Sequence, residues 1–239
     1  MTQHLKIDFV SDVACPWCVI GLRGLQQALA NAADAVEADI PFQPFELNPG
    51  MPAGGQNLGE HITEKYGSTA EQSAASRAMI RSRGAEVGFT FNMSEESRIY
   101  NTFDAHRLLH LALERGVQRD LKTRLGRATF TDGDPIEDHD TLRKAAADVG
   151  LDPQEVDDVL AGDAYAADVL TDVATAHRMD VTGVPFFLVD GRLALSGAQP
   201  PELLGKVLQR AWDEAHPEIE RIEGLAGGTD ACGPDGCPI

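Results

Sequence analysis

The chain has 239 residues, of which 43% are hydrophobic, enough to bury the core of one large domain. Its formal net charge is -18. This charge argues against the clustered Lys and Arg side chains that bind nucleic-acid phosphates, and it disfavours docking on anionic membranes. We therefore expect neither a nucleic-acid partner nor a membrane partner.

The N-terminal segment predicts the cellular compartment. Acidic residues, Asp8 and Asp12, interrupt the apolar residues near the start of the chain. A secretion signal or a membrane span needs an unbroken apolar run, so neither is predicted. We expect a cytoplasmic protein, in a compartment that keeps most thiols reduced.

The first part of the chain has the pattern of a β-α-β unit. Residues 5–11 alternate apolar and polar side chains, as a strand does, and residues 16–38 place apolar side chains at helical spacing. Residues 40–47 are predicted to form a second strand. Pro41 and Pro44 place this strand at a sheet edge or interrupt it, because proline cannot donate to a strand ladder.

Residues 59–179 are predicted to be almost entirely helical. Ser68 and Glu71 fit a capping box at the start of one helix. Asp152 and Pro153 fit an N-cap followed by proline at the first helical position. These signals indicate several separate helices in this part of the chain.

Strand character returns near the end of the chain. Residues 184–189 form a buried-strand pattern, a hairpin turn signal follows at Asp190 and Gly191, and residues 192–195 continue as a strand. A helix is predicted at residues 201–216. The order of elements is then β-α-β, a helical block, and β-β-α.

This order predicts an α/β fold in which a helical insertion divides one sheet. The sheet domain is predicted to consist of residues 1–58 and 180–215, with residues 59–179 as an all-helical insertion domain. Residues 216–239 are predicted to form a flexible C-terminal tail, because they are rich in glycine and polar residues.

Cys15 and Cys18 form a C-x-x-C pair where the first strand meets the first helix. The free N–H groups and the dipole of a helix N-terminus favour an anion, and a thiolate is the nucleophile in disulfide exchange. The spacing brings the two sulfurs within disulfide reach, and Pro16 suits the first helical turn. We predict that Cys15 is the nucleophile and that Cys18 attacks the mixed disulfide.

The same pair has two other interpretations, half of a zinc site or two inert core cysteines. Its place at a strand–helix junction, without a neighbouring basic or Cys/His-rich segment, favours the redox pair. We therefore expect no metal ion and no cofactor at Cys15 and Cys18.

A Gly-Val-Pro turn at residues 183–185 opens the third strand. Together with the C-x-x-C pair, it resembles the thioredoxin superfamily, and specifically its DsbA-like branch with a helical insertion. In that family the proline is cis, which an X–Pro bond reaches at a cost of about 0.5–1 kcal/mol, and it faces the active-site cysteines. The resemblance implies that the backbone of Val184 and Pro185 binds an extended substrate, and that Pro16 and Trp17 lie beside the bound substrate.

The chain more specifically resembles the cytoplasmic FrnE-like group of that branch. It spans about residues 5–215 and is carried by residues 8–12 before the cysteine pair, 45–49, 101–102, 105–108, 182–187 and 196–199. It implies a thiol–disulfide oxidoreductase that acts on protein or peptide disulfides and thiols, with glutathione as a further candidate.

The same branch includes 2-hydroxychromene-2-carboxylate isomerases and kappa-class glutathione transferases. Those proteins usually carry serine where Cys15 stands, and serine can hydrogen-bond a glutathione thiolate but cannot form a disulfide. Two cysteines favour disulfide exchange here, and a glutathione-dependent small-molecule isomerase or transferase is the alternative. A third hypothesis, a non-enzymatic zinc-binding or chaperone-type protein, predicts stoichiometric metal or a large exposed apolar groove.

Cys232 and Cys237 form a second pair, C-x4-C, in the predicted tail. Glycine and proline between them favour a tight turn, but closing so short a loop contributes only roughly 2 kcal/mol to stability. We predict an auxiliary redox pair that relays electrons between Cys15 and an outside partner. A joint zinc site of all four cysteines and a role independent of Cys15 are the alternatives.

Three further residues are candidates near the site. Asp12 is interpreted as a cap of the loop before Cys15, with proton transfer as the alternative. His106 and His110 have a spacing that can hold a metal, but a packed or solvated face is favoured because no zinc motif includes them. The resemblance implies that His106 and Arg107 border the substrate cleft.

Overall fold

The structure, a computed structural model, describes residues 3–32 and 36–215. In chain order its elements are β1 (Gln3–Ser11), α1 (Pro16–Asn31), β2 (Val36–Asp39), β3 (Phe42–Pro44), β4 (Gln56–Asn57), α2 (Leu58–Tyr66), α3 (Ala70–Glu86), β5 (Arg98–Ile99), α4 (Phe103–Glu114), α5 (Gln118–Arg127), a π-helical turn (Ala128–Asp132), α6 (His139–Asp148), α7 (Pro153–Ala161), α8 (Ala166–Arg178), β6 (Phe186–Val189), β7 (Leu193–Ser196) and α9 (Pro201–Ala215). The predicted tail, residues 216–239 with Cys232 and Cys237, lies outside the described residues.

β1 is the centre of the main sheet. It pairs antiparallel with β6 on one side, and parallel with both β2 and β3 on the other. β7 extends the sheet beyond β6. The two ends of the chain therefore build one sheet, and α2 to α8 are inserted between β3 and β6. This confirms the predicted α/β fold with a helical insertion, while the exact division at residues 58 and 180 stays a prediction.

Two bounds predicted for the first β-α-β unit are wrong. α1 ends at Asn31, well before residue 38, and β2 and β3 replace the single strand predicted at 40–47. Val36–Asp39 pairs with the start of β1, so hydrogen bonds to a distant segment override the local helical spacing. Pro41 lies between β2 and β3, consistent with an interrupted edge.

The insertion departs from an all-helical segment in one place. β4 and β5 pair antiparallel as a separate two-stranded sheet, which the sequence pattern did not indicate. The capping box lies one residue later than predicted, because Thr69 and Gln72 exchange the hydrogen bonds at the start of α3. α7 begins as predicted, with Asp152 as its N-cap and Pro153 at its first position.

Of three apolar clusters, two pack against α1, one from the sheet side and one from the insertion side. The first packs the inner face of β1 against α1 and α9, and it includes Leu5, Ile7, Phe9, Leu25 and Leu208. The second is the core of α4 to α7 and includes Leu108, Leu121, Leu125, Leu142 and Val156. The third joins α1 to α3 and the following segment through Ile20, Ile80, Phe89, Phe91, Met93 and Phe130. Among the described residues, no helix has the length and hydrophobicity that crossing a membrane requires.

The third cluster leaves no room beside Gly84 of α3. A Cβ atom at Gly84 would lie 2.4 Å from Phe91 Cδ2 and 2.8 Å from the Phe89 carbonyl oxygen. We predict that Gly84→Ala lowers the free energy of unfolding by about 1–3 kcal/mol, because the aromatic side chains must move. Denaturant unfolding measures this change.

Gly205 in α9 is the matched control, since a Cβ atom there meets nothing within 4 Å. Gly205→Ala is expected to raise the free energy of unfolding by about 0.5–1 kcal/mol through helix propensity alone. Equal effects of the two substitutions would contradict the packing described for Gly84.

Candidate active site

The cysteine pair lies at the start of α1. Cys15 is the N-cap residue and Pro16 occupies the first helical position. The Cys18 amide donates to the Cys15 carbonyl oxygen at 3.1 Å, which closes the first turn. Within the described residues neither cysteine forms a disulfide, and Cys15 and Cys18 are 4% and 2% exposed.

The loop before β6 packs directly against Cys15. The Cys15 thiol donates to the Val184 carbonyl oxygen at 3.5 Å, and the Val184–Pro185 peptide bond is cis. Gly21 of α1 permits this approach, because a Cβ atom there would lie 3.1 Å from Pro185 Cγ. The structure therefore brings together the two chain segments that the sequence analysis placed at one site.

Cys15 faces a cleft between the sheet and the insertion, with a volume of about 570 Å³. Pro16, Trp17 and Val184 also line it, whereas Cys18 does not. The other walls are mostly apolar by area, and they also carry neutral polar side chains and charged groups of both signs. They include Leu58, Ile62, Ile80, Met93, Phe130, His61, Arg77, Arg98 and Asp132. A cleft of this size and composition suits a small molecule or a short chain segment.

Asp12 lies buried next to the pair. Its Oδ2 atom accepts a hydrogen bond from the Leu47 amide at 2.7 Å, and its Oδ1 atom accepts one from the Ala14 amide at 3.2 Å. His106 Nε2 lies 3.5 Å from Oδ1. Burial raises the pKa of Asp12, but His106 and the two amides outweigh it and hold this pKa below its ordinary value. Asp12 thus caps the loop before Cys15, the role interpreted from the sequence.

His106 and His110 lie four residues apart on α4. They contact different carboxylates, Asp12 and Asp172, at 3.5 and 3.3 Å. The described part of the chain contains no group of three or more His, Cys, Asp or Glu side chains placed to hold a metal. Burial is the main cause that lowers the pKa of His106.

Arg107 has a structural role, and neither it nor His106 lies on the wall of the cleft. The Arg107 guanidinium donates to the carbonyl oxygens of Val159, Gly162 and Ala164, and it pairs with Asp104. It therefore joins α4 to the end of α7. The position implied for these two residues by the family resemblance is wrong.

Lys122 on α5 is the residue that the sequence analysis missed. It is 7% exposed, and its Nζ atom has no hydrogen-bond partner among the described residues. It lines a small cavity of about 20 Å³ with Asp12 and Cys18. Its helical spacing from Gln118 and Leu125, which lie on the buried face of α5, was the available signal. Because lysine is rarely buried, the sequence pattern alone predicts that the Lys122 side chain is exposed to solvent.

Burial shifts the pKa values of Cys18 and Lys122, which both line this cavity. It raises the pKa of Cys18 well above its ordinary value, and the neighbouring Cys15 raises it further. Burial also lowers the pKa of Lys122, against the opposing effects of Cys18, Asp12 and Cys15. The thiol and the amine are therefore both shifted towards their neutral forms.

Comparison with known proteins identifies the family. The profile of the DSBA-like thioredoxin domain matches residues 6–209. The chain belongs to this family. A probable DsbA oxidoreductase from Streptomyces coelicolor is 37% identical, with a TM-score of 0.83 and coverage of 99% of each chain. An uncharacterised protein of Bacillus subtilis is 26% identical over 209 residues, covering 87% of this chain and 96% of the relative.

More distant DsbA-like structures share the fold. The cytosolic disulfide reductase DsbM from Pseudomonas aeruginosa is 17% identical, with a TM-score of 0.63 over 87% of this chain and 99% of that one. DsbM has also been solved with GSH, and that structure matches with a TM-score of 0.57. The predicted DsbA-like resemblance, the thioredoxin-like fold and the enzyme class, a thiol–disulfide oxidoreductase, are confirmed at the level of the family.

We predict that Asp12→Ala lowers the free energy of unfolding at neutral pH by about 2–4 kcal/mol, because two partly buried amides lose their charged acceptor. The pKa of Asp12 in the folded protein lies below the ordinary value of 3.8. Its stabilising effect is therefore present above that value and is lost as the pH falls through the folded-state pKa. Denaturant unfolding over an acid pH series measures both effects.

Asp39→Ala serves as the control for this DsbA-like protein, because Asp39 is exposed at the end of β2. Its effect on the free energy of unfolding is expected to stay within about 0.5 kcal/mol. If the two variants were equally stable at neutral pH, the capping role of Asp12 would be refuted.

Proposed function

We propose that this protein exchanges disulfides in the cytoplasm through Cys15 and Cys18. The observation that carries the proposal is the position of Cys15 at the head of α1, on the wall of the cleft and 3.5 Å from the Val184 carbonyl oxygen. The free N–H groups at a helix N-terminus favour a thiolate. Cys18 lies one turn further along, away from the cleft.

The two positions suit the two steps of disulfide exchange. The Cys15 thiolate attacks one sulfur of a substrate disulfide, forms a mixed disulfide and releases the first substrate thiolate. Cys18 then attacks Cys15 and releases the second thiolate, which leaves a Cys15–Cys18 disulfide and transfers two electrons to the substrate. The reverse sequence oxidises a dithiol, and the reduction potential decides the direction.

The substrate is proposed to bind along the loop before β6. Val184 and Pro185 present backbone to an extended substrate, and Pro16 and Trp17 form the adjacent wall. A substrate N–H group that binds the Val184 carbonyl oxygen would replace the Cys15 thiol there. Protein or peptide disulfides and thiols are the proposed substrates, and the cleft of about 570 Å³ also supports glutathione as a candidate.

Cys232 and Cys237 are proposed to act as an auxiliary pair that relays electrons between Cys15 and an outside partner. The support is their sequence spacing, since they lie outside the described residues. A joint zinc site remains the competing prediction, and it would occupy the Cys15 nucleophile. Disulfide mapping after mild oxidation separates the two, because a relay predicts mixed bonds between the pairs.

The experiment that tests the proposed function uses Cys18→Ala. This variant is expected to accumulate a mixed disulfide on Cys15 after incubation with oxidised glutathione or an oxidised peptide, because no neighbouring thiol can displace the adduct. Acid quenching followed by peptide mass spectrometry locates it. The wild-type protein is expected to show little adduct at the same time point.

Cys15→Ala is the matched control for the trapping experiment. Cys18 does not line the cleft, so no adduct is expected on Cys18 in this variant. An unreactive Cys15 with stoichiometric zinc would sink the proposal. Full activity of Cys18→Ala towards a small-molecule substrate with glutathione would favour the alternative, a glutathione-dependent isomerase or transferase.

A further inference from the structure

We propose that Lys122 is the proton acceptor that activates Cys18 in the second step of the exchange. The inference rests on the proposed function, because it assigns a residue to a step of that same reaction. It concerns a side chain of the helical insertion, which acts on the cysteine that lies away from the cleft.

The Lys122 amine is buried beside Cys18. α5 packs against α1, and Lys122 and Cys18 line the same small cavity. Its volume of about 20 Å³ is enough for one water molecule. An amine in such a place is costly unless it is paired or neutral, and Nζ has no hydrogen-bond partner among the described residues. A buried lysine without a partner is therefore available to the neighbouring thiol.

Cys18 needs a base before it can attack the mixed disulfide. Burial and the nearby Cys15 raise the pKa of Cys18, so its thiol holds its proton at neutral pH. Only the thiolate attacks a disulfide. Burial lowers the pKa of Lys122, which makes the neutral amine, the form that accepts a proton, more accessible.

The other groups around this cavity are less suited to the task. The titratable and charged groups that face Lys122 or share its cavity are Cys15, Cys18, Asp12, His106 and Arg23. Both Asp12 oxygens already accept backbone hydrogen bonds, and the low pKa of Asp12 makes it a weak base. His106 turns Nε2 towards Asp12 and does not line the cavity, while an arginine stays protonated.

In the reductive direction, the Cys18 thiol transfers its proton to the neutral Lys122 amine, and the Cys18 sulfur forms a bond to the Cys15 sulfur. The bond between Cys15 and the substrate breaks, and its electron pair leaves on the substrate sulfur, which takes a proton from water. The Lys122 ammonium then returns its proton to solvent. In the reverse direction the ammonium protonates Cys18 as it leaves.

The test compares Lys122→Met with the parent protein, both carrying Cys232→Ser and Cys237→Ser so that only Cys15 and Cys18 react. The substrate is an aromatic disulfide whose two halves are coloured once released as thiolates, and stopped flow follows the colour. The attack of Cys15 releases the first coloured thiolate, and the attack of Cys18 on the mixed disulfide releases the second. We expect Lys122→Met to slow the second release about 100-fold at neutral pH and to leave the first nearly unchanged.

The pH profile separates a proton acceptor from a structural residue. In Lys122→Met the second release is expected to rise about tenfold per pH unit into the alkaline range, because Cys18 must lose its proton to solvent. In the parent protein the rate of the second release is expected to reach its plateau at a lower pH than in Lys122→Met. Lys144→Met, a change at an exposed position of α6, is the matched control and is expected to follow the parent profile.

Two measurements keep the test decisive. Methionine removes an unpaired buried amine, so Lys122→Met is expected to melt at or above the parent temperature. Lys122→Arg keeps the charge but cannot accept a proton, and it is expected to be as slow as Lys122→Met. A parent-like profile in either variant would overturn the role of Lys122 while leaving the proposed function intact. Absence of the first release in the parent protein would instead refute the proposed function.

Discussion

The structure depends on one constraint, the packing of α1 against the sheet on one side and the helical insertion on the other. Gly21 lets the loop before β6 approach α1, and the apolar cluster around Ile20 and Phe130 joins the same helix to the insertion. Because both contacts meet in the first turns of α1, they determine which way each cysteine points. Cys15 faces the cleft, and Cys18 faces the interior.

This division of the two sulfurs has an electrostatic consequence. The outer thiol lies at a helix N-terminus, where an anion is favoured, while the inner thiol lies where burial disfavours one. Nearby, the Ala14 amide of the loop before Cys15 and the Leu47 amide after β3 both donate to the buried Asp12 carboxylate. The carboxylate therefore holds the loop, whereas Lys122 Nζ, which lines the cavity beside Cys18, has no hydrogen-bond partner in the part of the chain that the structure describes.

Predictions that depend on neighbouring residues were mostly confirmed, whereas several that depend on contacts between distant segments were wrong or were not made. The Asp152 cap with Pro153 depends on neighbours in sequence, and α7 starts where it was expected. The single strand predicted at 40–47 failed because β2 and β3 exist only through their pairing with β1. The burial of Lys122 was not predicted either, because it results from the packing of α5 on α1 and not from residues near Lys122 in the chain.

The sequence by itself determined the class of fold, the order of its elements and the C-x-x-C pair with its partner turn at residues 183–185. Those features depend on apolar spacing, turn residues and motif spacing, all of which are local. Only the tertiary structure decided that Arg107 ties α7 to α4 away from the cleft, and that Asp12 and Lys122 flank Cys18. The physical reason is that burial and pairing of charges depend on segments that lie far apart in the chain and meet only when it folds.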